Sequence, residues 1–392
     1  MEATKKLYDQ DAYAAAFEAD VISCAKKSST GERLCEVILN QTLFFPEEGG
    51  QSPDMGTLGG AEVLDVQIKD GVIIHTVSSE LAVGSHVAGT IDARHRFFNM
   101  QQHSGEHIFS GLVHKRFGYE NVGFHLSDQV VTMDFNGALG EKEIAAVEYA
   151  ANEAIAANIP IEVSFPSKEA LKDMEYRSKI EIEGQVRIVT IPGYDVCACC
   201  APHVKRTGEI GMLKVMNVES YKGGVRVSIL CGFRALLAFG EKSQVLSALS
   251  AKLSANQEGL CEAVDKLKNT NQSLKSKLAA ANEEKMKQRL SQIKAEEKDA
   301  VLFFDELDTP AMRGGVNELV KKHSGICGIF AGSDEAGYSF ILGSTTIDCK
   351  TLAASLREKL SARGGGSEKM IQGSVTAGKE EILQALPLSQ VG

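Results

Sequence analysis

The chain has 392 residues, of which 43% are hydrophobic and 24% are charged, and its formal net charge is −10. This length predicts two or three domains that each bury a core, and the composition is that of an ordinary soluble protein. No apolar run approaches the roughly 18 residues of a membrane span, and residues 1–20 lack the apolar centre of a secretion signal, so we expect a cytoplasmic protein that does not bind membranes.

The first predicted elements are strands. Residues 15–95 contain short apolar runs separated by glycine-rich turns, and this even spacing is typical of a small β-barrel or sandwich. The apolar runs are residues 37–39, 43–45, 61–68, 72–74 and 86–88. We therefore predict an N-terminal β-barrel domain with a glycine-rich motif over residues 1–96.

Helices and strands alternate in the next part of the chain. The apolar period predicts a helix over residues 100–117 that ends at Gly118, and a second helix over residues 141–157. Strand-like runs occupy residues 130–135, 161–165 and 186–191. Residues 97–240 are therefore predicted to form an α+β domain.

Residues 241–298 have a different pattern. They contain no proline and one glycine, and many of their leucines recur at intervals of three and four residues with Lys and Glu between them. This pattern predicts a long helix or a helical hairpin, with a slip in the apolar spacing near residues 256–259. A spacer helix and a dimer-forming coiled coil fit equally well, so a homodimer through residues 241–298 is one of the two predictions.

The last part of the chain, residues 299–392, is predicted to be a small α/β domain. Its strand-like runs are residues 301–304, 326–331 and 338–343, and its amphipathic helix over residues 350–362 precedes a glycine triplet. The predicted fold class is therefore α+β with several domains.

Two histidines lie one turn apart on the helix predicted over residues 100–117. The spacing of His103 and His107 puts both imidazoles on one face and suits a shared metal ion. Much later in the chain, Cys199 and His203 form a C-x-x-x-H pair, and Pro202 indicates a turn there. Zinc prefers this mixture of nitrogen and sulfur ligands, so we predict a Zn²⁺ site.

The nine cysteines do not indicate a disulfide framework, because the chain is long and has no secretion signal. Three of them lie together in the segment Cys197-Ala-Cys-Cys200. Cys197 and Cys200 flank Cys199, so either could replace it as the sulfur ligand.

Two other interpretations of the same residues stay open. Four protein ligands can close a tetrahedral zinc that only stabilises the fold, whereas a catalytic zinc usually keeps an open position. The segment from His103 to His107 also matches the H-x-x-E-H pattern of one metalloprotease group, with Glu106 as general base. The protease interpretation leaves Cys199 and His203 without a role.

Further segments carry a resemblance to a known family. Thr42–Gln51, followed by Asp54-Met-Gly56, resembles the T-x-F-Y-P-E-x-G-G-Q…D-x-G signature of the alanyl-tRNA synthetase editing module. The two histidine motifs, continued by Arg206–Gly211, look like the zinc motifs of that family, and Arg363–Gln372 is similar to the glycine loop of its C-terminal domain. The class II aminoacylation motifs are missing, so the chain resembles the free-standing AlaX editing proteins in their long form.

The resemblance implies a hydrolase that cleaves the ester joining serine, or as a second candidate glycine, to alanine tRNA. A synthetase pocket that admits alanine rejects serine poorly, so a second site must destroy the wrong product. Carried over to this chain, the family pattern places the Thr42 hydroxyl against the serine side chain. It also places Gly49 and Gly50 where the backbone approaches the substrate closely, and it lets Gln51 donate an amide hydrogen bond.

Two more residues are candidates for catalysis. Glu106 stands where relatives have threonine or glutamine, and a carboxylate near zinc can act as general base or hold a ligand histidine. His125 lies in the stretch where the synthetases carry a polar pair. The alternative for Glu106 is an ordinary solvated position on the helix.

The residues predicted to bind tRNA are basic or belong to the glycine triplet. They are Lys205, Arg206, Arg363, Gly364, Gly365, Gly366 and Lys369. The net negative charge argues weakly against a nucleic-acid partner, but local basic patches can still bind phosphate. The alternative to an editing enzyme is a non-catalytic tRNA-binding protein with a structural zinc, which would have no need of the glycine motif beside the metal.

Overall fold

The computed structural model describes residues 2–27, 34–178, 185–294 and 296–389. It separates into two compact units, Met1–Leu246 and Ser247–Gly392. Eight α-helices and several sheets lie in the described residues, so the predicted α+β class is confirmed. Among these residues, no helix is both long enough and apolar enough to cross a lipid bilayer.

The elements as far as Leu253 are mostly strands. The strands are β1 (Lys5–Lys6), β2 (Ala16–Lys26), β3 (Cys35–Leu39), β4 (Gln41–Thr42), β5 (Gly56–Leu58), β6 (Ala61–Lys69), β7 (Val72–Val77), β8 (His86–Ile91), β9 (Asn121–Leu126), β10 (Val131–Phe135), β11 (Glu162–Ser164), β12 (Ile188–Ile191), β13 (Asp195–Ala198), β14 (Leu213–Tyr221) and β15 (Gly224–Cys231). The helices are α1 (Ala93–Phe117), α2 (Glu141–Ala156), α3 (Lys168–Lys172) and α4 (Gly232–Leu253).

Six strands close on themselves in the order β2-β3-β7-β6-β5-β8. Their side chains alternate between the interior and solvent, as a pleated strand requires. In β3, for example, Cys35, Val37 and Leu39 are buried and form part of one apolar core. The alternation explains why short apolar runs in this part of the sequence predict strands.

One predicted strand is wrong. Residues 43–45 form no ladder, although Phe44 and Phe45 are fully buried. Their backbone N–H groups bond to side chains instead, with Phe44 N donating to Thr42 Oγ1 at 3.1 Å and Phe45 N to Asp54 Oδ2 at 2.6 Å. The apolar run therefore indicated a buried segment but not a strand, because side-chain oxygens accept the backbone hydrogen bonds that a neighbouring strand would otherwise accept.

Helix α1 carries two of the predicted metal ligands and is buried along most of its length. It begins earlier than residue 100, because the Asp92 side chain accepts a hydrogen bond from His95 N and caps the helix. It ends as predicted at Gly118, which has a left-handed conformation. The helix packs against α2, β9, β10, β13 and β15, which explains the polar residues buried on it. Strands β14-β15-β10-β9 form one sheet and β11-β12-β13 another.

A buried ion pair ties α1 to the loop that follows the glycine-rich motif. Arg96 Nε donates to Asp54 Oδ1 at 2.9 Å, a second nitrogen bonds Asp54 Oδ2, and Nη2 also donates to Leu43 O at 2.6 Å. Arg96 and Asp54 are 2% and 1% exposed. Because both charges are desolvated, each depends on the other for compensation.

Replacing Arg96 by methionine is therefore expected to lower the free energy of unfolding by about 3–5 kcal/mol, since Asp54 stays buried without its counter-charge. Urea denaturation followed by circular dichroism measures this loss. Lys287→Met is the control, because Lys287 forms an exposed pair with Glu283 and should leave the midpoint unchanged. Equal midpoints for the two variants would show that the buried pair does not stabilise the fold.

The second unit contains a helix-covered sheet. Its strands are β16 (Ala300–Phe304), β17 (Cys327–Ser333), β18 (Gly337–Gly343), β19 (Arg363–Gly366) and β20 (Met370–Val375), in the order β16-β17-β18-β20-β19. Its helices are α5 (Leu260–Ser291), α6 (Thr309–Lys322), α7 (Cys349–Leu360) and α8 (Lys379–Ala385). Two apolar clusters pack on this sheet, one with Met286 and Val316 and one with Leu352 and Leu356.

The helical region predicted over residues 241–298 is two helices, α4 and α5. They are interrupted at residues 254–259, where the apolar spacing slips. Helix α4 already begins at Gly232, earlier than predicted, because it directly continues β15. Several leucines of α5 are exposed, including Leu267, Leu274 and Leu278.

Candidate metal centre

The four predicted ligands lie together in the first unit. One nitrogen each of His103, His107 and His203 and the Cys199 sulfur all fall within 4.8 Å of one another. Cys199 Sγ is 3.5 Å from His103 Nε2 and 3.3 Å from His203 Nε2. The three histidines are almost completely buried, and Cys199 is partly exposed. This group could hold a metal ion.

Each ligand imidazole is held by a partner on the nitrogen that faces away from the cluster. His103 Nδ1 bonds Gln51 Oε1 at 2.7 Å, His107 Nδ1 bonds Asp195 Oδ2 at 2.8 Å, and His203 Nδ1 bonds Ser104 Oγ at 3.0 Å. Such partners fix the tautomer and the ring orientation of metal-binding histidines. The arrangement therefore fits a metal ion held by three Nε2 atoms and one sulfur.

The protonation of two of the four residues, His203 and Cys199, also fits a metal ion. Burial lowers the pKa of His203 to about 3, so its imidazole is neutral at pH 7. Burial alone would raise the pKa of the Cys199 thiol, but the neighbouring His103 ring and the hydrogen bonds from His103 and His107 outweigh it and hold that pKa well below its usual value. A neutral imidazole and a thiolate are the forms that bind metals.

The two cysteines beside Cys199 behave differently. Burial raises the pKa of the Cys197 thiol to about 11, and burial also raises that of Cys200 well above its usual value. Cys197 belongs to a second set of potential metal-binding side chains, with Asp195 and with His107, which is common to both sets. The charge distribution therefore favours Cys199 as the sulfur ligand.

The glycine-rich motif lies directly against the ligands. Gly50 has a φ of +82°, and a side chain there would come within 2.5 Å of the Phe124 carbonyl oxygen, so only glycine fits. Gly50 O accepts a hydrogen bond from Leu126 N at 2.7 Å, and Gly49 lies beside the Cys200 sulfur. This close packing brings the next residue, Gln51, to His103.

Gln51 is fully buried and only half of its amide is bonded. Its oxygen accepts from His103, while its Nε2 has no hydrogen-bond partner among the described residues. A buried donor without a partner costs free energy unless a water or a ligand satisfies it. The free Nε2 is therefore a candidate donor toward a substrate.

Thr42 is buried and bonds to a histidine that the sequence did not single out. Val37 O lies 3.1 Å from His75 Nδ1 and can only accept, so His75 Nε2 is the acceptor for the Thr42 hydroxyl at 2.9 Å. Burial lowers the pKa of His75 to about 4, which keeps the ring neutral. Because the hydroxyl also accepts from Phe44 N, Thr42 retains a single lone pair for any further ligand.

Glu106 is buried beside the ligands and is not a solvated helix residue. Its Oε1 accepts hydrogen bonds from Ser110 Oγ and from Asn121 Nδ2, both at 2.7 Å. Its Oε2 lies 3.9 Å from His107 Nε2, the nitrogen on the side of the cluster. The carboxylate is therefore held with one oxygen near the metal-binding group.

His125 is not brought to the ligands. Neighbouring residues of a strand point to opposite faces, and it is the Phe124 ring that lies 4.9 Å from the His103 ring. His125 is exposed.

Lys205 and Arg206 are exposed and already have contacts within the chain. The Lys205 ammonium lies 4.7 Å from the centre of the Tyr13 ring, and the Arg206 guanidinium donates to Asn158 O. In the second unit, Arg363, Gly364, Gly365 and Gly366 form the edge strand β19, and Lys369 lies in the turn after it. All five are exposed.

Several residues at the centre were missed by the sequence interpretation. Asp195, Ser104 and Asn121 hold the ligands or Glu106, and Arg177 donates two hydrogen bonds to Asp195. Asp195 lies two residues before Cys197, but a lone Asp near a Cys carries no recognised spacing. Ser104 lies inside the His103–His107 segment but at a position that the motif leaves open, and the others belong to no local motif.

Two family models match parts of the first unit. A family model described as the second additional domain of threonyl and alanyl tRNA synthetases matches residues 186–228. A model described as tRNA synthetases class II (A) matches residues 2–95.

Whole proteins are similar as well. The alanyl-tRNA editing protein Aarsd1 of Danio rerio is 33% identical over 274 residues, which cover 67% of this chain and 66% of that protein. Aarsd1 of Rattus norvegicus is 28% identical over 94% of both chains, and the alanyl-tRNA editing protein AlaX-L of Pyrococcus horikoshii is 26% identical over 96% of both. These similarities show that the chain belongs to the alanyl-tRNA editing protein family.

Proposed function

We propose that this protein hydrolyses the ester bond of mischarged alanine tRNA, with serine as the wrong amino acid and glycine as a second candidate. The observation that carries the proposal is the contact between the glycine-rich motif and the metal-binding group, through Gln51 and His103. The names of its relatives, which are editing proteins for alanyl-tRNA, support the same reaction. A structural zinc alone would not explain a buried amide donor left free beside it.

We propose zinc as the metal, held by His103, His107, Cys199 and His203. Three imidazoles and a thiolate are a donor set that zinc prefers over magnesium or calcium. When bound, zinc supplies a Lewis acid that stabilises negative charge developing on the ester oxygens.

The chain's own residues bind and orient the substrate. Gln51 Nε2 donates a hydrogen bond to the ester oxygen that becomes negative, because it is a fixed donor with no other partner. Glu106, held by Ser110 and Asn121, accepts the proton of the attacking water as the water oxygen bonds to the carbonyl carbon. The same carboxyl returns that proton to the ribose oxygen of the tRNA as the ester C–O bond breaks. Thr42 accepts a hydrogen bond from the serine hydroxyl through its remaining lone pair, a contact that an alanine side chain cannot make.

We further propose that both units take part in binding tRNA. Lys205 and Arg206 would contact phosphates near the ester, and Arg363 and Lys369 would contact the outer part of the tRNA. The glycines of β19 support this role, since Gly364 and Gly365 line a cavity of about 370 Å³ in the second unit.

We propose four domains, namely the barrel, the α+β editing domain, the helical region and the C-terminal domain, with boundaries at residues 96, 240 and 298. The exposed leucines of α5 are the surface that we assign to a homodimer.

The proposed function is tested by incubating the protein with alanine tRNA charged with serine, glycine or alanine, and following the loss of each ester. We expect serine to be released at least about tenfold faster than alanine. A factor of ten corresponds to about 1.4 kcal/mol, which is the contribution of one hydrogen bond to the serine hydroxyl. Release of no amino acid, together with tRNA binding, would leave only the binding protein with a structural zinc. Equal release of serine and alanine would show that the site does not edit.

A further inference from the structure

Of the three ligand histidines, His107 is the one whose partner is a charged carboxylate among the described residues. His107 Nδ1 bonds Asp195 Oδ2 at 2.8 Å, whereas the other two rings bond a neutral amide and a hydroxyl. Asp195 is in turn held by Arg177, whose Nε and Nη2 donate to its two oxygens at 2.7 and 2.9 Å. Hydrogen bonds therefore run in sequence from Arg177 through Asp195 to His107.

This chain of hydrogen bonds is buried, and the Asp195 carboxylate within it has a hydrogen-bond donor on each side. The Asp195 side chain is 1% exposed and that of Arg177 is 10% exposed. Burial opposes ionisation of Asp195, but the hydrogen bonds from His107 and Arg177 keep its pKa below the usual value. A carboxylate in such a place requires a partner on each side, because an uncompensated buried charge is costly.

The backbone fixes Arg177 to the strand that carries the other groups. Arg177 N donates to Val196 O at 2.8 Å, and Ala198 N donates to Arg177 O at 2.9 Å. Arg177 therefore lies alongside β13 and pairs with Cys197. The same strand bears Asp195 at its start and leads into Cys199, so one short segment positions ligands from both halves of the centre.

A glycine on α1 makes this contact possible. Gly111 lies one turn after His107, and a side chain there would come within 2.3 Å of Tyr194 O and 2.9 Å of Asp195 Cβ. Helix α1 can approach the turn before β13 only because this residue has no side chain. The close approach brings the Asp195 carboxylate within hydrogen-bond distance of His107.

We infer that Arg177 and Asp195 are positioning residues for the metal site, which hold the His107 ring at the angle that metal binding requires. The inference rests on the proposed function only for the presence of a metal at the four ligands. Removing a partner that orients a ligand histidine typically weakens metal binding 10- to 100-fold. Neither residue touches the substrate in this proposal.

The test measures zinc affinity of the full chain by competition with a chromophoric chelator, in the absence of tRNA. We expect Arg177→Met and Asp195→Asn each to raise the dissociation constant for zinc by about 10- to 100-fold. Arg177→Lys, which can replace the charge but not both hydrogen bonds, should fall between these variants and the wild type. In cobalt-substituted Arg177→Met and Asp195→Asn, the visible absorption bands should shift relative to the wild type, because these bands report the geometry of the ligands.

The matched control is Arg226→Met. Arg226 forms a similar two-bond pair with Asp134, at 2.6 and 2.7 Å, and lies outside the ligand group. Its loss should leave zinc affinity and the cobalt spectrum unchanged. Wild-type zinc affinity in folded Arg177→Met and Asp195→Asn proteins would overturn the inference. If Arg177→Met does not fold, the zinc affinities of Arg177→Lys and Asp195→Asn provide the test, and wild-type affinity in both would overturn the inference.

These outcomes are separate from those of the deacylation assay. A protein that binds zinc tightly but releases no amino acid would contradict the proposed function and leave the positioning role intact. If the wild type edits normally and Asp195→Asn binds zinc as tightly as the wild type, the positioning role is contradicted and the proposed function stands.

Discussion

His103→Ala is expected to abolish deacylation of serine-charged alanine tRNA, with a fall of about three orders of magnitude or more. The variant removes one of the four proposed ligands and breaks the bond to Gln51, so we expect it to lose both the metal and the fixed amide donor. A Lewis acid contributes several kcal/mol to such a reaction, and each 1.4 kcal/mol is a factor of about ten. Single-turnover hydrolysis and the zinc content of the purified protein measure the two losses.

His86→Ala is the matched control for this prediction. His86 is an exposed histidine on β8 that pairs with Glu18 and Asp20. Its replacement should change neither zinc content nor rate. Treatment of the wild type with a chelator should reproduce the His103→Ala result, and added zinc should restore the activity. A chelated, zinc-free protein that still edits at the full rate would contradict the role of the metal.

Glu106→Gln is expected to lower kcat by about 10²- to 10⁴-fold, the usual contribution of a general base. The amide keeps the size of the side chain, and its oxygen can still accept from Ser110 and Asn121. It cannot take a proton, however, so the loss should fall on kcat while the zinc content stays normal. The rate at saturating serine-charged tRNA measures the effect.

Glu141→Gln, at the exposed first turn of α2, serves as the comparison and should retain the wild-type rate. A Glu106→Gln protein that retains kcat but binds less zinc would show that the carboxylate holds the ligands instead of moving a proton. Normal kcat and normal zinc content together would remove Glu106 from the mechanism.

The parts of the centre that the sequence predicted are those encoded by local spacing. His103 and His107 lie on one helix face, and Cys199 and His203 lie in one turn, so short intervals reveal each pair. The partners of these ligands are distant in sequence. Asp195 is 88 residues from His107 and Gln51 is 52 residues from His103, and only the fold brings them together. The family resemblance pointed to Gln51 but not to its bond.

Strand orientation was the other limit. The family resemblance places His125 where the synthetases carry a polar pair, but the sequence does not show which face of β9 meets α1. Alternation puts Phe124 against His103 and its neighbour on the other side. The apolar run 43–45 was similarly ambiguous, because the side chains of Thr42 and Asp54 bond its backbone where a strand was predicted.

The orientation of the Gln51 amide couples two binding events. An imidazole that presents Nε2 to an ion must carry its proton on Nδ1, and that proton requires the amide oxygen, not the nitrogen, to face His103. The same rotamer turns the NH₂ group toward the ester in the proposed reaction. Ion and substrate then select one state of a single side chain, and thermodynamic reciprocity requires each to tighten the binding of the other by the same factor.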